Sequence, residues 1–306
     1  MGEIEKYISE YLQYCRYSKA LDVKTLKAYR IDLKQFGACM AIGSYELNRE
    51  GLTAYITSLH QRFKIKTVKR KIASVKAFLN YLEYEGIIET NPFNKMRIKL
   101  HEPSLLPRTI PFSSIAAILQ CAYLQKAECG GTEYRKDTIL RDIAVLEMLF
   151  ATGIRVSELC SLKKVDVNLD EGTVKIFGKG AKERLLQIGN QQVLAALNEY
   201  VYAYSGQIEK DGWFFINRLG NKLSDQSARN IVTHYTAMAG LSQHITPHMF
   251  RHSFATLLLD EGVDIRYIQQ LLGHSSIVTT QIYTHVASKK QRDILTTKHP
   301  RNKITV

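Results

Sequence analysis

Apolar residues recur at three- and four-residue intervals through the N-terminal third of the chain. The sets are Ile4, Ile8, Tyr11 and Cys15; Leu26, Tyr29, Leu33 and Phe36; Leu52, Tyr55, Ile56 and Leu59; and Val68, Ile72, Val75, Leu79 and Leu82. A period near 3.6 puts each set on one helix face, so the spacing predicts four helices closing on a shared core as a small bundle. The pattern stops at NPFNKMRIKLHEPSLLPRTIP, which holds four of the six prolines, Pro92, Pro103, Pro107 and Pro111, together with Lys95, Arg97, Lys99 and Arg108. Proline withholds a backbone donor and restricts the residue before it. Residues 92–108 therefore read as a basic linker between a first domain, 1–91, and a second, 109–306.

Past the linker the period changes. Leu140 to Ala151 is an apolar helix that Thr152-Gly153 should end before a second, short helix. Period-two alternation follows in GTVKIFGKGAKERLLQI, where Thr173 to Phe177 and Arg184 to Ile188 flank a Gly-Lys-Gly centre, a hairpin signature. The expected fold class is mainly α with a small antiparallel β-sheet. At the far end Val286 to Thr297 suits a helix whose few large apolar residues, Val286, Ile294 and Leu295, are too sparse for a core of its own. That segment reads as a helix that docks on a neighbour.

Candidate chemistry concentrates in the last sixty residues. His248 and Arg251 are three apart and share a helix face, His274 follows in LLGHSS, and Tyr283 sits four residues after Thr279 in TTQIYTHV. Guanidinium forks and imidazole N–H groups suit the charged oxygens of a phosphoryl group in transfer, and a nearby phenol is a nucleophile. Taken singly each has an ordinary reading: a satisfied histidine, a packing tyrosine whose phenol needs help to attack. Taken as one set they describe a phosphodiester-cleaving site.

The stretch PHMFRHSFATLLLDEGVDIRYIQQLLGHSSIVTTQIYTHV resembles the tyrosine recombinase (phage integrase) family, and more narrowly its Xer-type members. LRDIAVLEMLFATGIRVSELCSLKKVDV resembles the family's first catalytic-arginine motif and places that arginine at Arg155. Glu158 then reads as a carboxylate orienting Arg155, or as a solvated helix charge. In the family a lysine on such a hairpin protonates the leaving 5′ oxygen, and Lys179 of GKG matches it. Lys182 and Arg184 are read as solvated edge charges or DNA-backbone contacts. The resemblance implies catalytic residues Arg155, Lys179, His248, Arg251, His274 and Tyr283, a 3′-phosphotyrosyl intermediate, and no metal or other cofactor.

TLKAYRIDLKQF and KRKIASVKAFLNYLEYEGIIETNPF resemble the family's SAM-like core-binding domain. The expected architecture is that helical domain followed by an α+β catalytic domain with a tail at 286–306. With the first helical period starting at once, no separate arm-binding domain is expected. CAYLQKAECGGTEYRKDTILRD looks longer than the usual Xer connection, which leaves the loop before Leu140 unassigned.

Charge narrows the partner. A formal net charge of +13 and a pI near 9.4 call for a polyanion, and with no long apolar run or signal peptide that polyanion is DNA in the cytoplasm. Arg62, Lys64, Lys66, Lys69, Arg70 and Lys71, without an intervening acid, read as phosphate contacts, joined by Lys95, Arg97 and Lys99. The five cysteines form no C-x-x-C pair and read as free thiols. His244 and His248 have zinc spacing, but Pro247 falls between them and no further ligand completes a set. Expected partners are duplex DNA with short inverted-repeat core sites, further copies forming a synaptic tetramer through the tail, and a paralogue or accessory factor. A nicking-resealing enzyme of the type IB topoisomerase kind and a non-catalytic architectural DNA binder are the alternatives.

Overall fold

The computed structural model describes residues 3–42, 47–98, 100, 108–178, 183–273, 292 and 294–305. The chain divides into two compact units, Met1–Leu105 and Leu106–Val306.

The first unit holds four helices, α1 (Glu3–Tyr17), α2 (Val23–Ile42), α3 (Arg49–Arg62) and α4 (Ile65–Tyr84). Their core contains Tyr11, Cys15, Leu33, Phe36, Leu52, Tyr55, Val75 and Leu79, drawn from the periodic sets, together with Phe78, which those sets left out. Phe93, in the stretch read as linker, also packs into this core from the 3-10 turn Pro92–Lys95, whose entry Asn91 caps. Lys95 and Arg97 are exposed, while Lys99 lies outside the described residues.

The basic run divides. Arg62, Lys64 and Lys66 are exposed at the junction of α3 and α4, and Lys69 is half-buried. Lys71 is not a surface cation: it is 2% exposed, and its Nζ donates to Asp32 Oδ1 at 3.0 Å and to Gln35. It falls three residues after Val68 and four before Val75, on the face of α4 that meets the core. Asp32, fully buried on α2, also accepts from Ser74 Oγ at 3.0 Å and from the half-exposed Arg70. A carboxylate with no water around it needs these donors, so Lys71 is held in place and cannot serve as a phosphate contact.

The second unit is built on α6 (Glu133–Thr152), which packs against α5 (Phe112–Ala127), α8 (Gln191–Ala203) and α11 (Pro247–Asp260). From Ile143 to Thr152 every residue of α6 is buried, the pattern of a helix enclosed on all sides. Only residues 128–132 separate α5 from α6, so the extra length ahead of Leu140 is helix rather than loop. The short α7 (Val156–Leu159) follows, then a three-stranded antiparallel sheet of β1 (Val167–Asn168), β2 (Thr173–Phe177) and β3 (Glu183–Gln187), with β2 in the middle. The predicted hairpin is present with its second strand one residue earlier; the two-residue β1 was too short to show a period. α9 (Ser205–Asp211), α10 (Asp225–Met238) and α12 (Ile265–Leu272) complete the unit.

The C-terminal segment corrects one expectation. Residues 294–298 are helical, Leu295 is 2% exposed inside the core of its own unit, and Ile294 packs against that core. The anchor is polar. Arg301, with no exposed surface, donates from Nε to Glu147 Oε2 at 2.7 Å and from Nη2 to Glu147 Oε1 at 2.6 Å. Sparse apolar spacing misled because the hold on the domain lies beyond the helix, in residues whose type is ordinarily at the surface. Val286 lies outside the described residues.

His299 completes the anchor. Arg301 N–H donates to its Nδ1 at 2.9 Å, which leaves Nε2 to carry the proton toward the Phe150 carbonyl at 3.2 Å. Burial pushes this imidazole down to about 4, helped by the Arg301 cation. The unfolded chain therefore binds a proton that the folded one refuses, so stability is full above about pH 6.5 and falls as pH drops toward 4. Urea unfolding should show this slope between pH 6.5 and 5, above the carboxylate range, and His299→Gln should flatten it.

Candidate active site

Where α6 ends, Gly153 takes φ 59°, a left-handed conformation closed by its N–H donating to Leu149 O at 3.2 Å. A Cβ here would lie 2.6 Å from Phe254 Cδ1, so α11 crosses too close for any other residue. The chain then turns and presents Arg155 at the start of α7. Its backbone N–H donates to Glu158 Oε2 at 3.0 Å and its Nη1 to Glu158 Oε1 at 2.7 Å, so one carboxylate holds both the backbone and the fork of Arg155. Glu158 is 8% exposed and is not a solvated helix charge.

Arg251, 3% exposed on α11, reaches the same corner. Its Nη1 donates to Gly153 O at 2.8 Å and its Nη2 to Leu272 O at 2.5 Å. Burial pushes its guanidinium down to about 10, with Arg155 and Arg184 adding repulsion that Glu158 partly offsets. It stays charged at neutral pH. Arg155 and Arg184 share the Glu158 carboxylate, and with Arg251 beside them the corner carries an excess of positive charge that an anion would relieve.

Arg184 is corrected from an edge charge to an interior one. Its side chain is 11% exposed, and its Nη2 and Nη1 donate to Glu158 Oε2 and Oε1 at 2.7 and 3.1 Å. The pairing of Ile176 with Arg184 and of Val174 with Leu186 places Arg184 on the sheet face that Val174, Ile176 and Leu186 bury. Period-two alternation counted back from Leu186 carries this signal. Burial would raise the Glu158 carboxyl, but hydrogen bonds from Arg184 and Arg155 hold it below its ordinary range.

His248 stands exposed in the first turn of α11, behind Pro247 at its start. Its ring meets that of His252 at 4.6 Å between centroids. His252 was not anticipated; burial, His248 and Arg251 together push its imidazole below its ordinary value. Lys179, Lys182, His274 and Tyr283 lie outside the described residues. Among the described residues there is no group of three or more His, Cys, Asp or Glu side chains that could hold a metal ion, and no helix long and apolar enough to cross a membrane.

A helical unit precedes an α+β unit in which Arg155 and Arg184 share the Glu158 carboxylate beside the buried Arg251, an arrangement whose donors suit an anion. Comparison with known proteins narrows the class. The pattern of the Phage integrase family matches residues 124–290, and that of the phage integrase N-terminal SAM-like domain matches residues 8–86. A tyrosine recombinase of Agathobacter rectalis is 52% identical over 98% of both chains, and tyrosine recombinase XerC of Thermodesulfovibrio yellowstonii is 35% identical over 99% of both. Among solved structures, XerH site-specific recombinase bound to palindromic difH substrate shares the fold, with TM-score 0.71 and 21% identity over 94% of this chain and 83% of that one. The chain belongs to the phage integrase family of tyrosine recombinases. Within it, this is a Xer-like site-specific recombinase, an enzyme that cleaves and rejoins DNA through a phosphotyrosyl intermediate.

Proposed function

We propose that Arg155 and Arg251 hold the non-bridging oxygens of one scissile phosphate while Tyr283 attacks the phosphorus. The observation that carries this reading is the corner at Gly153, where Arg155, bonded to Glu158, and Arg251, bonded to the Gly153 carbonyl, put positive charge in excess. Such a site, already organised before the substrate arrives, stabilises the charge of the pentacoordinate transition state without reorganising. His248 takes the phenol proton, His274 donates a hydrogen bond to the phosphate, and Lys179 protonates the departing 5′ oxygen. The tyrosine oxygen then holds the DNA 3′ end as an ester. A 5′ hydroxyl from a partner strand reverses the step, so bond energy is conserved and no cofactor is consumed.

The substrate is duplex DNA with a short inverted-repeat core, in the cytoplasm. The exposure of Arg62, Lys64, Lys66, Lys95 and Arg97 supports their contacting its backbone, with half-buried Lys69 beside Lys66 in sequence and Lys99 and Lys182 assigned on sequence alone. Exchange needs a second cleaved strand beside the freed hydroxyl, so four protomers act on two sites. Leu295 and Arg301 are packed in their own unit and so are not free to hold a neighbour.

Leaving-group chemistry tests the roles. Lys179→Ala should slow cleavage of an ordinary phosphodiester on the order of 10²- to 10⁴-fold, and a 5′-phosphorothiolate, whose sulfur departs without a proton, should largely restore the rate. Arg251→Ala should lose a comparable factor with no such rescue. Rescue of Arg251→Ala in place of Lys179→Ala would overturn the assignment.

A further inference from the structure

We propose that Arg184 is a positioning residue for strand cleavage, a guanidinium strut that ties Arg155, through Glu158, to the end of α12 from which the chain runs on to His274. This rests on the phosphate-clamp reading above. Arg184 uses its donors in two directions. Nη1 and Nη2 take both Glu158 oxygens, and Nε donates to Leu271 O at 3.1 Å. Arg251 takes the adjacent Leu272 O. Two of the carbonyls left unpaired where α12 ends are thus capped by cations, which also suit the negative end of the helix dipole.

The contacts close a ring. Arg155 leads to Glu158, Glu158 to Arg184, Arg184 to the α12 terminus, that terminus to Arg251, and Arg251 to Gly153, two residues before Arg155. Arg184 is its link across the sheet, since its side chain carries the ring from Glu158 to the Leu271 carbonyl. The fit around it is close. Gly273, at φ 65°, would place a Cβ 3.0 Å from Arg184 Cδ, so the turn after α12 and the arginine stem are shaped to each other. The Arg184 Nε, Nη1 and Nη2 each donate within the protein, and the side chain is 11% exposed. It acts by holding Glu158 and the α12 end in register, so that the Arg155 fork and the chain leading to His274 approach one phosphate together.

Single-turnover cleavage of a nicked suicide duplex by the full-length protein, run beside binding titrations over a range of salt, decides between a strut and a DNA contact. Arg184→Ala should cleave roughly 10- to 100-fold more slowly at saturating DNA. Its slope of log affinity against log salt should match the wild type, whereas loss of a phosphate contact would reduce that slope by about 0.9. Arg184→Lys keeps the charge but not the fork, so it should be as slow as Arg184→Ala. Combined with Glu158→Gln, Arg184→Ala should cost far less than the product of the two single losses.

Normal cleavage by either Arg184 variant overturns the proposal, and so does a reduced salt slope with a normal saturated rate. Should Arg184→Ala fail to fold, Arg184→Lys decides alone. Arg155→Ala is the control: if it cleaves normally, the clamp reading itself is wrong, whereas its failure beside a fully active Arg184→Lys removes the strut alone.

Discussion

Tyr283→Phe is expected to bind its DNA site with undiminished affinity and to form no covalent complex at all. The substitution removes one oxygen and keeps the ring, so packing and backbone are preserved while the attacking atom is gone. With Arg155 and Arg251 unchanged, the phosphate is still held, and the block falls on chemistry alone. Denaturing gels of protein incubated with end-labelled duplex would show the wild-type adduct and none for Tyr283→Phe. An adduct surviving in the variant would place the nucleophile elsewhere, with Tyr267, half-buried on α12, and Tyr235 the next phenols to examine. Tyr235 is the weaker of these, since it is 1% exposed and burial pushes its phenol well above the ordinary range.

The second large effect is on stability. Arg301→Met leaves Glu147, with no exposed surface on the central helix, without its partner, and removing one member of such a buried pair costs about 3–5 kcal/mol. Tyr123 still donates to Glu147 Oε1 at 2.9 Å, but one hydroxyl does not replace a bidentate guanidinium. The double variant Glu147→Leu with Arg301→Met should recover most of the loss, because it removes the stranded charge and restores apolar volume. Chemical denaturation measures both. Truncation after Ser288 should behave at least as badly as Arg301→Met, since Leu295 leaves the core as well. A truncated protein that unfolded like the wild type would refute this account of the C-terminus.

Much of the fold was legible from spacing because helix and strand periods follow from local backbone geometry. The four N-terminal helices, the helix ending at Gly153 and the hairpin all lie where alternation of apolar and polar residues put them. Of the site, His248 and Arg251 fall on one helix, α11, as their spacing indicates, and Arg155 stands beside Glu158 at the turn after Gly153. What spacing missed was the fate of single charges. Lys71, Arg184 and Arg301 are each of a type that usually lies in water, and each is buried against Asp32, Glu158 or Glu147.

The distinction is between short- and long-range order. By itself the sequence determined helices, strands and net charge, since a residue's helical or strand preference depends on neighbours within a turn or two. Only the tertiary structure decided which cations stay exposed and which are drawn inside against a carboxylate. Burial of a charge is settled by whether a carboxylate arrives from a distant part of the chain, as Glu147 meets Arg301 across 154 residues. No local pattern records that meeting, and the energy of a desolvated ion enforces it once the chain has folded.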